Sequence, residues 1–120
     1  AGAVRYPSGT VGFLVGPDGA PRLRAPKTLP DLAEGHSDTP SALYSPAPFE
    51  VARLPLGQVA LLVGEDAAVA HLVRAAMWRG AELVLNPSRE FNDGQFAIRQ
   101  QARMARAYEN HLCLATASPS

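Results

Sequence analysis

The chain has 120 residues, of which 47% are hydrophobic, enough for one globular domain burying roughly two thirds of its unfolded surface. Eleven Lys and Arg residues balance eleven Asp and Glu residues, so the clustered positive charge that nucleic acid or an anionic membrane surface demands is missing. No apolar run nears the roughly 20 residues of a membrane span, no charged stretch leads into an apolar one at the start, and a single cysteine cannot close an internal disulfide, so a reducing cytoplasm is the expected setting.

In chain order, Ala1 to Thr10 carries weak signals of order, with Gly2, Pro7, Ser8 and Gly9 spaced through it. Val11 to Val15 is predicted to be a strand. Pro17-Asp18-Gly19 then makes a turn, because proline fixes φ, aspartate bonds its own backbone and glycine accepts positive φ. Pro21 to Ala25 returns as the second arm of a hairpin, and the prolines at 21 and 26 suit an edge position. Lys27 follows directly; taken alone it reads as a solvated loop lysine. Residues 30 to 50 form a long loop rich in proline, serine and acidic residues. Loops beyond about 12 residues in a compact domain tend to be functional or mobile. Within it Glu34 reads as an exposed carboxylate, and His36 has no evident partner.

Phe49 to Leu54 alternates, and Pro55-Leu56-Gly57 turns the chain into the apolar run Val59-Ala60-Leu61-Leu62-Val63. That run lacks alternation, as a strand buried on both faces should. Gly64-Glu65-Asp66 breaks it. From Asp66, which can cap the first turn, a helix is predicted with Val69, Leu72, Val73, Ala76 and Met77 on one stripe. Arg74 and Arg79 suit its second half, and Gly80 supplies a left-handed stop. Ala81 to Leu85 is a further short strand, ended by Asn86-Pro87-Ser88. The whole reads as one β-α-β unit. Its sharp turn at Gly64 is the geometry of a nucleophile elbow, where a side chain would project beyond the strand end and nearby N–H groups can hold an anion. Glycine offers no nucleophile there.

Arg89 to Gly94 is a polar loop, Gln95 to His111 a predicted helix whose small residues pack on a sheet, and Leu112 to Ala117 a last strand. His111 and Cys113 alternate on one side of that strand, but zinc wants three or four ligands and no second pair is present, so no metal is expected. Cys113, in an apolar strand without a basic neighbour, is expected to be an inert core residue.

Three blocks together resemble the carbon–nitrogen hydrolase (nitrilase and amidase) superfamily. They are Gly16-Pro17-Asp18-Gly19 followed by Lys27-Thr28-Leu29; then Gly64-Glu65-Asp66, Arg79-Gly80-Ala81-Glu82-Leu83 and Asn86-Pro87-Ser88; and finally Arg106-Ala107-Tyr108-Glu109-Asn110 before a strand. The resemblance implies an α/β fold, part of a nitrilase-like α-β-β-α sandwich built as a hairpin and then β-α-β-α-β, with residues 1–120 a single partial domain. The chain is about half the family's usual length, so the half carrying the general-base glutamate is expected to be missing. By the same resemblance Lys27 is the cation that holds the oxyanion beside the backbone N–H of Glu65, Glu34 fills the slot of a second glutamate, and Asn86, Pro87 and Ser88 line the substrate. Gly64 stands where the nucleophilic cysteine belongs. No cofactor is implied. An amide or nitrile-like small molecule is the expected ligand, and the expected protein partner is a second copy, through helices beside the elbow, or the missing half of the domain.

Losing the attacking group removes covalent catalysis, so the first expectation is a nitrilase-like domain impaired in catalysis and kept for binding or assembly. The alternative is an active hydrolase of a non-peptide C–N bond that draws its nucleophile from elsewhere. A third reading takes Leu61-Leu62-Val63-Gly64-Glu65-Asp66 as the acidic opening of a phosphorylated receiver domain, a fold that needs an aspartate at the end of its third strand.

Overall fold

A computed structural model describes residues 1–6, 9–29, 50–90 and 93–119. Its first part is a three-stranded antiparallel sheet in the order β1 (Gly2–Tyr6), β2 (Gly9–Val15), β3 (Pro21–Pro26). The β2–β3 turn closes as the Pro-Asp-Gly run predicts: Gly16 N–H donates to Ala20 C=O at 2.8 Å, Asp18 Oδ1 accepts from Ala20 N–H at 3.1 Å, and Gly19 takes φ +78°. The weakly patterned N-terminus is nevertheless a strand. Backbone pairing with β2 from Gly2↔Phe13 to Tyr6↔Gly9 supplies what its composition does not.

The second sheet has the order β4-β5-β6-β7. β4 (Val51–Leu54) and β5 (Gly57–Leu61) form the hairpin set up by Pro55-Leu56. β5, β6 (Leu83–Pro87) and β7 (Cys113–Ala117) run parallel, with helix α1 (Ala70–Trp78) crossing from β5 to β6 and α2 (Phe96–Asn110) from β6 to β7. This is the expected α/β architecture of a hairpin followed by β-α-β-α-β, laid out as sheet on sheet with helices behind.

Two apolar clusters meet on the central strand. Val59 and Leu61 join Leu14 and Leu23 between the sheets; Ala60 and Leu62 join Val73, Ala76, Val84 and Leu112 under the helices. Burial on both faces is the reason the run 59–63 shows no alternation. The sheets pack tightly at Gly12, where a Cβ would lie 2.5 Å from Val63 Cγ2.

Four sequence expectations are corrected. The helix does not start at Asp66: Gly64–Ala68 is a 3-10 turn, Val69 is extended (φ −88°, ψ 121°), and α1 begins at Ala70. Asp66 does not cap it, because its carboxylate has been recruited to another part of the chain. The strand predicted at 81–85 lies at Leu83–Pro87, so Asn86 and Pro87 belong to β6 rather than ending it. Cys113 is exposed, not core, because β7 is the terminal strand of the described sheet and alternate residues face outward. Finally, the chain is no receiver domain: the third parallel strand ends at Ala117-Ser118, with no aspartate, and a second sheet covers the first.

Candidate functional site

The carboxyl ends of parallel strands are where α/β sheets place ligands, and here that end is the turn at Gly64. Gly64 stands at φ +59°, a left-handed conformation that costs a residue with a Cβ. Asn86 braces it from beneath. This side chain, 1% exposed, donates from Nδ2 to Leu62 C=O at 2.7 Å and to Gly64 C=O at 2.9 Å, and its Oδ1 accepts from Thr116 Oγ1 at 3.1 Å. One amide thus ties the ends of β5, β6 and β7 together.

Above the turn lies Lys27, the first residue past β3 and the only lysine in the sequence. A Cβ placed on Gly64 would stand 2.9 Å from Lys27 Cε and 3.8 Å from Cδ. The lysine chain therefore crosses the space that a side chain at 64 would enter. Its Nζ donates to the carbonyl of Leu29, among other contacts.

Asp66 joins the two parts. It is 1% exposed, and its carboxylate accepts from Thr28 N–H at 2.6 Å and from Leu29 N–H at 2.9 Å. Burial pushes its pKa above the ordinary carboxylate value, while the two backbone N–H groups and the charge of Lys27 pull the other way.

Beside the turn is a charged cluster. Glu90 Oε1 accepts from Ser88 Oγ at 2.8 Å and from Arg103 Nη2, and its Oε2 accepts from Arg99 Nε at 2.9 Å. Arg99 also meets Asp93 at 3.0 Å and Glu65 at 3.7 Å, which connects the cluster to the elbow. Burial raises the Glu90 pKa, but the bonds from Ser88, Arg99 and Arg103 outweigh it and leave the carboxyl below its usual range. A cavity of about 580 Å³ lies between α2 and β7, lined by Phe96, Arg103, Met104 and Leu114 among others. Lys27, Gly64 and Asp66 are not part of its lining.

The structure thus brings Lys27 against Gly64, with Glu65 next in the chain and its carboxylate 3.7 Å from Arg99. Glu34 and His36 lie outside the described residues. Asn86 and Pro87 are buried, with the Asn86 amide spent on the protein itself, and Ser88 turns its hydroxyl to Glu90. Among the described residues no three His, Cys, Asp or Glu side chains converge to hold a metal. Sequence reasoning missed the anchoring role of Asp66 and the inward-facing Arg103, which is 2% exposed. The signal for Arg103 was Glu90, an acid placed to receive it.

Comparison with solved structures decides the architecture. An amidase from Nesterenkonia sp. superposes with a TM-score of 0.74 at 28% identity, over 92% of this chain and 40% of that one. The chain has the fold of the nitrilase superfamily. The same scores are found for a mutant of that amidase, from Nesterenkonia AN1, described as a member of the nitrilase superfamily. They are also found for a form showing covalent addition of the acetamide moiety of fluoroacetamide at the active-site cysteine. This nitrilase-like chain spans about two fifths of the length of those amidases. No protein-family model matches its sequence, and no curated protein does.

Proposed function

We propose that the chain is part of a nitrilase-superfamily domain of amidase type in which position 64 is the nucleophile's place, so that this segment binds an amide-like ligand without attacking it. The observation that supports this most directly is the pairing of a left-handed glycine at the strand end with a lysine lying 2.9 Å from where its Cβ would be. In the related amidase a cysteine carries the covalent adduct. Glycine has no atom to form that bond. In this reading the electrophilic side of the site persists: the Lys27 cation and the backbone N–H of Glu65 would hold a carbonyl oxygen.

Ligands of the expected kind are small amides or nitriles. In this reading the domain works assembled in the cytoplasm, with a second copy or with the rest of the sandwich, and the exposed Trp78, Met104 and Tyr108 on the helices support assembly. The test is ammonia release from acetamide, butyramide and N-carbamoyl amino acids. The protein with Gly64 is expected to release none; steady release that survives repurification would refute the proposal and favour a hydrolase that takes its nucleophile from elsewhere.

A further inference from the structure

Asp66 closes the Gly64-Glu65-Asp66 block, and the helix it is expected to cap begins only at Ala70. Its carboxylate is 1% exposed and sits in the 3-10 turn that follows Gly64. Both of its oxygens are occupied by backbone donors from 37 and 38 residues earlier in the chain: Oδ2 accepts from Thr28 N–H at 2.6 Å and Oδ1 from Leu29 N–H at 2.9 Å. These two residues follow Lys27 directly. Leu29, held through its N–H, offers its C=O to Lys27 Nζ. A continuous path of hydrogen bonds therefore runs from the Asp66 carboxylate through Leu29 to the lysine ammonium. Burying an ionised carboxylate is unfavourable unless it is paired, and here its pairing serves to fasten one segment.

We propose that Asp66 is a positioning residue for Lys27: by gripping the Thr28 and Leu29 backbone it keeps the lysine over the elbow. This rests on the reading of Gly64 and Lys27 as an amidase-type site. Asparagine at 66 cannot do the same work, since its Nδ2 would face an N–H donor where an oxygen accepts now.

The test uses the full chain with Cys113→Ser, which removes the exposed native thiol, and Gly64→Cys as a reporter. The pH dependence of its alkylation by iodoacetamide gives the reporter's pKa. A cation beside it lowers that pKa from the ordinary ~8.5, and Lys27→Met is expected to raise it again. Asp66→Asn then separates two roles by sign. Removing a nearby negative charge would by itself lower the thiol pKa, whereas releasing the lysine raises it. The proposal predicts a rise with Asp66→Asn and none when Lys27→Met is already present. A fall, or no change, overturns it. If Lys27→Met itself has no effect, the elbow reading fails, a pattern distinct from failure of the Asp66 assignment alone. In the unaltered chain, the Thr28 and Leu29 amides are expected to exchange with solvent deuterium as slowly as the paired amides of β3. Exchange at the rate of an open loop would overturn the proposal without any variant.

Discussion

Gly64 concentrates two physical demands, a left-handed backbone and room for the Lys27 chain. Gly64→Ala is expected to cost about 1–2 kcal/mol for the strained conformation, while the flexible end of the Lys27 chain, whose Cε lies 2.9 Å from the new Cβ, gives way locally and stays beside the turn. Urea unfolding measures this, and an unchanged midpoint would show that the turn is not left-handed. Two carboxylates near the elbow respond oppositely to acid. Asp66 has a raised pKa in the folded protein, so the folded state binds its proton first, and stability rises as pH falls through that raised value toward the ordinary one. Glu90 has a lowered pKa, so its stabilisation is full above the ordinary carboxylate range and is lost as pH falls through its depressed value. In pH-dependent urea melts, Asp66→Asn is expected to remove the gain on mild acidification, and Glu90→Gln the loss at lower pH. If each variant shows the unaltered chain's pH profile, these groups do not carry the effect.

At the scale of elements, the sheets meet through Gly12. Gly12→Ala would drive a Cβ to 2.5 Å from Val63 Cγ2 and 3.1 Å from Leu61 Cδ2, an overpacking worth about 1–3 kcal/mol. α2 is held to the β6 end by Glu90, and Glu90→Ala strands Arg103, 2% exposed, with an expected loss of about 3–5 kcal/mol in thermal or urea melts. A loss below about 1 kcal/mol, the scale of an exposed ion pair, would show that the cluster is solvated. Much of this layer was legible. The unalternating run at 59–63, the Pro-Asp-Gly turn and the stripe Leu72, Val73, Ala76 declared strand, hairpin and helix because each satisfies a local rule. The 3-10 turn was not legible, since the same stripe continues through Val69 and nothing local in Asp66 reveals its bonds to Thr28 and Leu29, 38 and 37 residues away. Cys113 was misjudged because apolar composition does not say which strand ends a sheet. Likewise, nothing local in Asn86 reveals that its amide spans three strand ends.

At the scale of the whole molecule, the described part forms three layers of the expected four-layer sandwich, and its helices leave Trp78 at 78% and Tyr108 at 84% exposure. Apolar rings so placed favour association. In sedimentation the protein is expected to run heavier than the 12.7 kDa of one chain, and Trp78→Asp with Tyr108→Asp is expected to return it to that mass. A monomer at every concentration would assign those side chains no role in assembly. The central claim, however, is that Lys27 lies over an elbow whose side chain is missing. It is tested most directly by joining the two positions. With Cys113→Ser and Gly64→Cys, a short thiol–amine cross-linker has one target lysine in the sequence, and peptide mass analysis reports whether position 64 is bridged to it. An intramolecular bridge between the introduced thiol and Lys27, formed at low protein concentration, is expected. Modification of both positions without a bridge would contradict it.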